Sequence, residues 1–433
     1  MKKRKISCTL LLLSSVLIYG QKTSDMINEG VLFVSSEDIV SVVGTFENTN
    51  SGDVINDGTT IYYQNFINDG FYAISNNSTT GNALFLTEGV AYAPKKITGN
   101  GISSFYNVEF NSALNKVAFD LKNNIEASGI VDFKNGIVLV DSTYNPVTKV
   151  SHGMFTFKKG AQAMNADETS HVDGFVEKIG DDNFIFPVGH DEKYRPVSIS
   201  SSKDKKNIFV GRYVYKDEAF FENRTNMVGA LNKISTTEYW IVENADTNNS
   251  SVLLTLSWDD TTTSDEVLDN PEEELHIVRW DDVQKIWVDE GGVVDMSRKE
   301  VTTIGTVKGY GVFTFGTVKK DWLLDGDIVI YNLVTADGDG KNDYFVIDHI
   351  KNYPNKVEIF NRWGARVYET TNYDPYGDGS TNVFKGYSEG KVTVDKGTKL
   401  PSGTYYYVIT YEYTDANGSR MIKKAANLHL ETN

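Results

Sequence analysis

The residues best spaced for chemistry lie near the C-terminus. Asp337, Asp339 and Asp343, followed by Asp348, fall at positions 1, 3, 7 and 12 of a calcium-loop pattern, and the Lys341 carbonyl stands at position 5. Oxygen donors at this spacing suit a hard divalent cation, because carboxylates packed so densely repel one another unless a cation or solvent separates them. Position 6 is Asn342, where the helix-loop-helix version has glycine, and Lys341 adds a competing positive charge. The pattern therefore reads two ways: a calcium (Ca2+) site, or the charged tip of a β-turn.

Other reactive constellations are absent from the sequence. The histidines, His152, His171, His190, His276, His349 and His429, are not spaced as a zinc pair. There is no His-Glu-x-x-His, no Gly-x-Ser-x-Gly elbow, no Walker loop and no dinucleotide fingerprint. The carboxylate runs Asp259-Asp260 and Glu272-Glu273-Glu274 sit in loop-like stretches, and adjacency in sequence does not create the separation a glycosidase pair needs. Trp258, Trp280 and Trp287 with Tyr239 read either as an aromatic platform for sugar rings or as half of a sandwich core. The expectation is a protein that is not an enzyme.

The elements that must carry these residues are strands. The chain has 433 residues, of which 40% are apolar, 12% aromatic and 23% charged, the balance of a globular chain of several domains. Abundant Tyr and Phe with scarce Pro favour strands and turns. A net charge of −17 excludes nucleic-acid binding, which needs a basic surface. At the N-terminus, Lys2, Lys3, Arg4 and Lys5 precede the apolar run Leu10 to Ile18, and Tyr19-Gly20-Gln21 follows. This is the pattern of a secretory signal peptide over residues 1–20, too short to span a membrane. Cys8 lies before the apolar run, where a lipid-bearing cysteine would have to follow it. Removing 1–20 takes away four cations and the only cysteine, so the mature chain stands near −21 without a thiol or disulfide.

Three regions follow in the expected mature chain. Residues 21–171 are short strands broken by Asn, Asp, Ser and Gly. Val54-Ile55-Asn56-Asp57-Gly58 is echoed twelve residues on by Ile67-Asn68-Asp69-Gly70, and Asp-Gly marks chain reversals in which glycine takes positive φ. Phe105 to Phe110 and Val131 to Val138 alternate inward and outward side chains. An irregular parallel β-solenoid or a β-sandwich both fit. Residues 172–324 comprise a Gly- and Asp-rich bridge to about residue 200, then strands at Ile208 to Tyr215, Tyr239 to Val242, Val252 to Trp258, Leu275 to Trp280 and Gly311 to Phe315, as in an antiparallel sandwich. The acidic stretch Asp265 to Glu274 reads as a solvated loop. Residues 325–433 form a further small, Ig-like β-sandwich. The fold class is all-β.

The last region carries a family. Asp337 to Asp343, Lys356-Val357-Glu358-Ile359-Phe360-Asn361-Arg362-Trp363-Gly364, Val367-Tyr368-Glu369 and Leu400-Pro401-Ser402-Gly403-Thr404-Tyr405 closely resemble the gliding-motility-associated C-terminal domain, the type B sorting domain of the bacterial type IX secretion system. Ala336-Asp337 stands where members read Pro-Asn. More distantly, Gly174 to Ile199, Glu238-Tyr239-Trp240 and Arg279-Trp280-Asp281 are similar to segments of other surface proteins that end in this domain.

The resemblance implies a route rather than a reaction. It implies export to the cell surface or the medium, the type IX translocon as a partner, and a PorP/SprF-type outer-membrane barrel as a further one. Asn361, Arg362, Trp363, Gly364, Pro401, Gly403 and Tyr405 are the implied sorting-motif residues. A structural or adhesive role, in gliding or attachment, is the expected function. A carbohydrate-binding or carbohydrate-active cargo that works through its N-terminal region, with a surface glycan as target, is the rival.

Overall fold

The computed structural model describes residues 25–432 apart from 88–92, 114–115, 141–143, 146–149, 152, 229–230, 246–249, 308, 319–327, 339–340, 389–396 and 416–417. The signal segment 1–20 with Cys8, and also His152 and Asp339, lie outside the described residues. Among the described residues strand accounts for 52% and helix for 4%, so the fold class is all-β.

Between the two N-terminal alternatives, the pairing is that of a solenoid. The first coil consists of Met26–Asn28, Val31–Val34 and Ile39–Val42, and each strand pairs in parallel with its counterpart one coil on: Phe46–Asn48, Asp53–Asn56 and Thr59–Tyr62. Repetition builds three parallel faces. The structural repeat is twenty residues in the first coils, as in the pairing of Phe46 with Phe66 and Asn48 with Asn68, and lengthens further on, as in the pairing of Phe66 with Ile97 and Asn124 with Met154.

The twelve-residue echo has a different meaning. Asn56-Asp57-Gly58 turns from the second face to the third, whereas Asn68-Asp69-Gly70 turns from the first to the second. Neither glycine adopts a positive φ. A Cβ at Gly58 would strike the Ser35 carbonyl oxygen, and one at Gly70 the Gly52 carbonyl oxygen. These corners need glycine so that stacked backbones can approach, not for chain reversal. Corners also divide two stretches that alternate like single strands: Ser103–Phe105 and Asn107–Asn111 meet at Tyr106, and Ile130–Asn135 and Ile137–Val140 meet at Gly136, whose φ is 97°.

Inside the solenoid, like stacks on like. Tyr62, Phe85, Phe110 and Phe133 form a column of stacked rings, with successive centroids 5.4, 5.4 and 5.8 Å apart. At another corner the amides form a ladder. Asn28 Nδ2 donates to Asn48 Oδ1, Asn48 Nδ2 to Asn68 Oδ1 and Asn68 Nδ2 to Ser103 Oγ, each at 2.8 Å. Asn48 and Asn68 are fully buried, so each amide must find its partner in the neighbouring coil.

The segment expected to bridge the first two regions belongs to both of them. Val172–Asp173 and Val176–Ile179 pair in parallel with Ile137–Val140 and Met154–Phe157 as the last rung. On its other edge Val176–Ile179 pairs antiparallel with Ile208–Tyr215. The solenoid sheet thus continues through Glu238–Asn244, Gly311–Val318, Leu275–Asp281 and Ile286–Gly291 as one 13-stranded sheet. A second antiparallel layer, Phe184–Phe186, Val197–Ile199, Leu254–Ser257, Glu300–Thr302 and Val293–Asp295, packs on it. The solenoid and sandwich interiors form a single apolar cluster. A free linker would have left the last strand edge unpaired, which is costly and prone to adventitious pairing.

The aromatic residues weighed as a sugar platform lie inside. Trp258, Trp280, Trp287 and Tyr239 are all buried, and Trp287 and Tyr239 pack beneath Phe221 of the short helix Glu218–Glu222. The acidic stretch is not wholly solvated either, since Val267 in its 3-10 turn is buried in the core.

A buried polar network ties the last coil to the sandwich. Arg195, almost fully buried, donates from Nη1 to Glu168 at 2.7 Å and from Nε to Thr262 at 2.8 Å, and its Nη2 lies 3.1 Å from Asp259. Glu238, fully buried, accepts hydrogen bonds from Tyr213 at 2.6 Å and from Thr263. Burial pushes its carboxyl above the ordinary glutamate value of 4.5, against the hydrogen bonds and Arg195, which favour the ionised form.

Two outcomes follow from this packing. Phe110→Ala opens the ring column and is expected to cost about 3–5 kcal/mol in urea unfolding of the mature chain. Because the folded Glu238 holds its proton more tightly than the unfolded one, its contribution is fully present below about pH 4.5 and is lost as pH rises through the folded value. The stability difference between wild type and Glu238→Gln, measured from pH 4 to pH 8, should therefore move in favour of the variant as pH rises.

Candidate functional site

The C-terminal region has its own apolar core, separate from that of the solenoid and sandwich. Its five-stranded sheet runs in the order Leu333–Thr335, Gly418–Glu431, Gly403–Asp415, Asn355–Phe360, Arg366–Thr371. In the long strand Gly403–Asp415, Tyr405, Tyr407, Ile409, Tyr411 and Tyr413 point into the core at the period of two expected of a half-buried strand. The opposing layer is less regular than an Ig-like sandwich. It consists of the pair Val329–Ile330 and Ile347–Asp348 together with loop-borne Phe345, Tyr373, Phe384 and Leu400. The loops are held by polar bonds: Tyr373 OH donates to the Phe345 carbonyl at 2.5 Å and accepts from the Phe384 N–H at 3.1 Å.

Asn361-Arg362-Trp363-Gly364 is the turn joining Asn355–Phe360 to Arg366–Thr371, and its residues divide the work. Asn361 Oδ1 accepts from the N–H groups of Trp363 and Ala365, both at 3.0 Å, and Gly364 N–H donates to the Asn361 carbonyl at 2.9 Å. Gly364 has φ of 71°, the left-handed conformation that favours glycine. Asn361 and Gly364 therefore shape the turn. Arg362 and Trp363 are its display: Trp363 is 50% exposed, and the Arg362 guanidinium sits 4.8 Å from its ring centroid.

The second motif anchors the longest hairpin. Leu400 is buried, and its N–H donates to the Gly386 carbonyl at 2.8 Å. Tyr405 OH reaches back to the Pro401 carbonyl at 2.9 Å, and Gly403 opens the strand. Pro401, Gly403 and Tyr405 thus fix where Gly403–Asp415 starts.

In the acidic loop, Gly338 N–H donates to Asp343 Oδ1 at 2.6 Å, Thr335 Oγ1 donates to the Lys341 carbonyl at 2.9 Å, and Asn342 has φ of 51°. Asp348 lies in the strand Ile347–Asp348 and accepts from Tyr331 OH at 3.1 Å. Among the described residues no three of His, Cys, Asp or Glu converge on a common point, and Asp339 is outside that set.

Several other sequence candidates have partners within the fold. Asp259 pairs with Arg195, and Asp260 with Lys299 at 2.7 Å. His171 is buried with Nδ1 2.8 Å from the Asp167 carbonyl, His190 Nδ1 accepts from the Tyr215 N–H, and His276 pairs with Asp289 at 2.9 Å. Sequence reasoning missed the contact of the Gly364 turn with the middle sandwich. A Cβ on Gly364 would lie 2.8 Å from Ser200 Cβ and 3.0 Å from Leu253 Cδ1, and Asn427 Nδ2 donates to the Val294 carbonyl at 3.0 Å. No local signal marks such a pairing, since the partners are more than a hundred residues apart.

Asn361→Ala removes the acceptor of two turn N–H groups and is expected to lower stability by roughly 1–2 kcal/mol. Trp363→Ala, at a half-exposed tip, should cost about 1 kcal/mol or less. Chemical unfolding of the two variants side by side checks the division between shape and display.

No curated protein and no solved structure matches the chain significantly. Residues 328–425, which contain the acidic loop and both motif turns, match the family model described as the CHU_C type IX secretion signal domain; the chain is thereby a cargo of the type IX secretion machinery, carried out of the cell.

Proposed function

We propose that the mature chain is a non-enzymatic structural or adhesive protein displayed on the outer face of the outer membrane, in a gliding or attachment assembly. The observation that carries this reading is the sheet running unbroken from the solenoid into the middle sandwich. Continuous pairing makes a stiff rod of the N-terminal two-thirds. Seven stacked rungs at ~4.8 Å each extend it by about 30 Å. A sorting domain with its own core follows the rod, which suits an anchored or escorted display device. Export would begin with the signal peptide and finish with the C-terminal domain, with a PorP/SprF-type barrel as the surface partner.

The outer face of the third solenoid sheet argues against a catalytic carboxylate pair there. Lys134 Nζ lies 2.7 Å from Glu109 and 3.9 Å from Asp132, and Asn165 Nδ2 donates to Asp132 at 2.7 Å. Carboxylates held by cross-coil partners reinforce the stack and are poorly placed to protonate or attack a glycoside.

The reading is tested with a fluorescent reporter bearing a signal peptide and residues 325–433, expressed in a host with a working type IX system, with and without the barrel. The reporter should reach the surface or medium, and the native protein lacking 325–433 should stay in the periplasm. Retention of the fusion under both conditions would overturn the reading.

A further inference from the structure

The sorting domain meets the middle sandwich across a cleft whose two walls differ in chemistry. One wall is the outward face of the second sandwich layer. Ile185, Ser198, Thr255 and Thr302 lie directly opposite one another on successive strands, forming a row across the sheet. The Thr255 and Thr302 hydroxyls are 2.8 Å apart, and each retains further hydrogen-bonding capacity. Beside the row, Arg298 and Glu300 form a two-point ion pair, with Nε to Oε2 at 3.0 Å and Nη2 to Oε1 at 3.1 Å, which leaves this wall without net charge. The other wall is the sorting domain, where Phe360 and Tyr406 pair across neighbouring strands and Trp363 stands at the rim, one side of its ring occupied by the Arg362 guanidinium 4.8 Å from the centroid. Where the Gly364 turn touches Ser200 and Leu253 the walls meet; beside that contact they leave a partly open cavity of about 160 Å³.

Two sheets that were simply docked would be expected to match apolar face to apolar face. Here a hydroxyl-lined wall faces aromatic rings, and room remains between them. A cavity of ~150 Å³ accommodates a ring the size of benzene, so a bulkier hydroxylated ring would fill it and extend to the open rim at Trp363. The ligand class that offers C–H faces to aromatic rings and hydroxyls to Ser, Thr and a neutralised Arg–Glu pair is a neutral sugar. Clefts between domains are also favoured places for small-ligand sites.

We propose that this cleft binds one neutral pyranose unit of a glycan, stacked on Trp363 and Tyr406 with its hydroxyls directed to Thr255, Thr302 and the Arg298–Glu300 pair. The inference rests on the adhesive reading and supplies its ligand. It places the binding surface at the joint with the sorting domain and not along the solenoid.

The purified mature chain, residues 21–433, is titrated calorimetrically with cellohexaose, laminarihexaose and mannohexaose. At least one should bind with a dissociation constant below about 1 mM and raise the melting temperature by mass action. Thr255→Val, which keeps shape and removes a hydroxyl, and Trp363→Ala should each weaken that binding about tenfold or more, while both retain the unfolding profile of the wild type. Absence of binding by all three oligosaccharides, or binding undiminished in either folded variant, overturns the proposal. Because the titration uses purified protein, its failure is distinct from a failure of the reporter to be exported.

Discussion

Each coil of a parallel solenoid presents three rows of backbone N–H and C=O groups that only another strand can satisfy. Buried backbone groups without partners are costly, and exposed ones invite foreign pairing. The architecture from residue 25 to the end of the sandwich can be read as the answer to that constraint. Each coil satisfies its predecessor, and Ile208–Tyr215 satisfies the last rung of the second face by crossing it antiparallel. The first face ends in a similar way, with Val188–His190 added in parallel and Lys193–Tyr194 turned back on it. The middle sandwich is therefore also the cap of the solenoid. The shared apolar cluster and the Arg195 and Glu238 networks at the joint are consequences of that continuity.

Stacking at a fixed spacing also selects the side chains. A residue that faces inward meets its own equivalent ~4.8 Å away, so flat rings and amides are favoured because they can repeat along the axis. Tyr62, Phe85, Phe110 and Phe133 obey this rule, as do Asn28, Asn48 and Asn68. Coils of variable length remain compatible with it, because excess residues leave at the corners or in bulges such as that between Val117 and Phe119. This is why the repeat is clear in space and loose in sequence.

The sorting domain follows other rules. Its core closes by itself, and its motifs divide into residues that fix backbone shape and residues that face outward. Asn361, Gly364 and Tyr405 are spent on turns and strand starts, whereas Arg362 and Trp363 stand at a tip. One turn thus presents a rigid outward tip and, through Gly364, packs tightly on the middle sandwich.

Much of this was legible from residue types and local spacing. Alternation of apolar and polar residues pointed to strands, abundant Tyr and Phe with scarce Pro pointed to the all-β class, and the Asn-Arg-Trp-Gly and Leu-Pro-Ser-Gly runs located the sorting domain, because these properties are short-range. The meaning of the glycines was not legible: Gly58 and Gly70 are required by carbonyl oxygens of Ser35 and Gly52, which only stacking brings near. Nor could the sequence choose between core and platform for Trp258, Trp280 and Trp287, since both uses want an aromatic residue on a strand. The parallel pairing, the merging of bridge residues 172–200 into two sheets and the cleft at Gly364 were decided by tertiary structure alone. They depend on which strand edges and faces meet across long stretches of chain, and a strand's sequence constrains its own two faces far more than the identity of its neighbours.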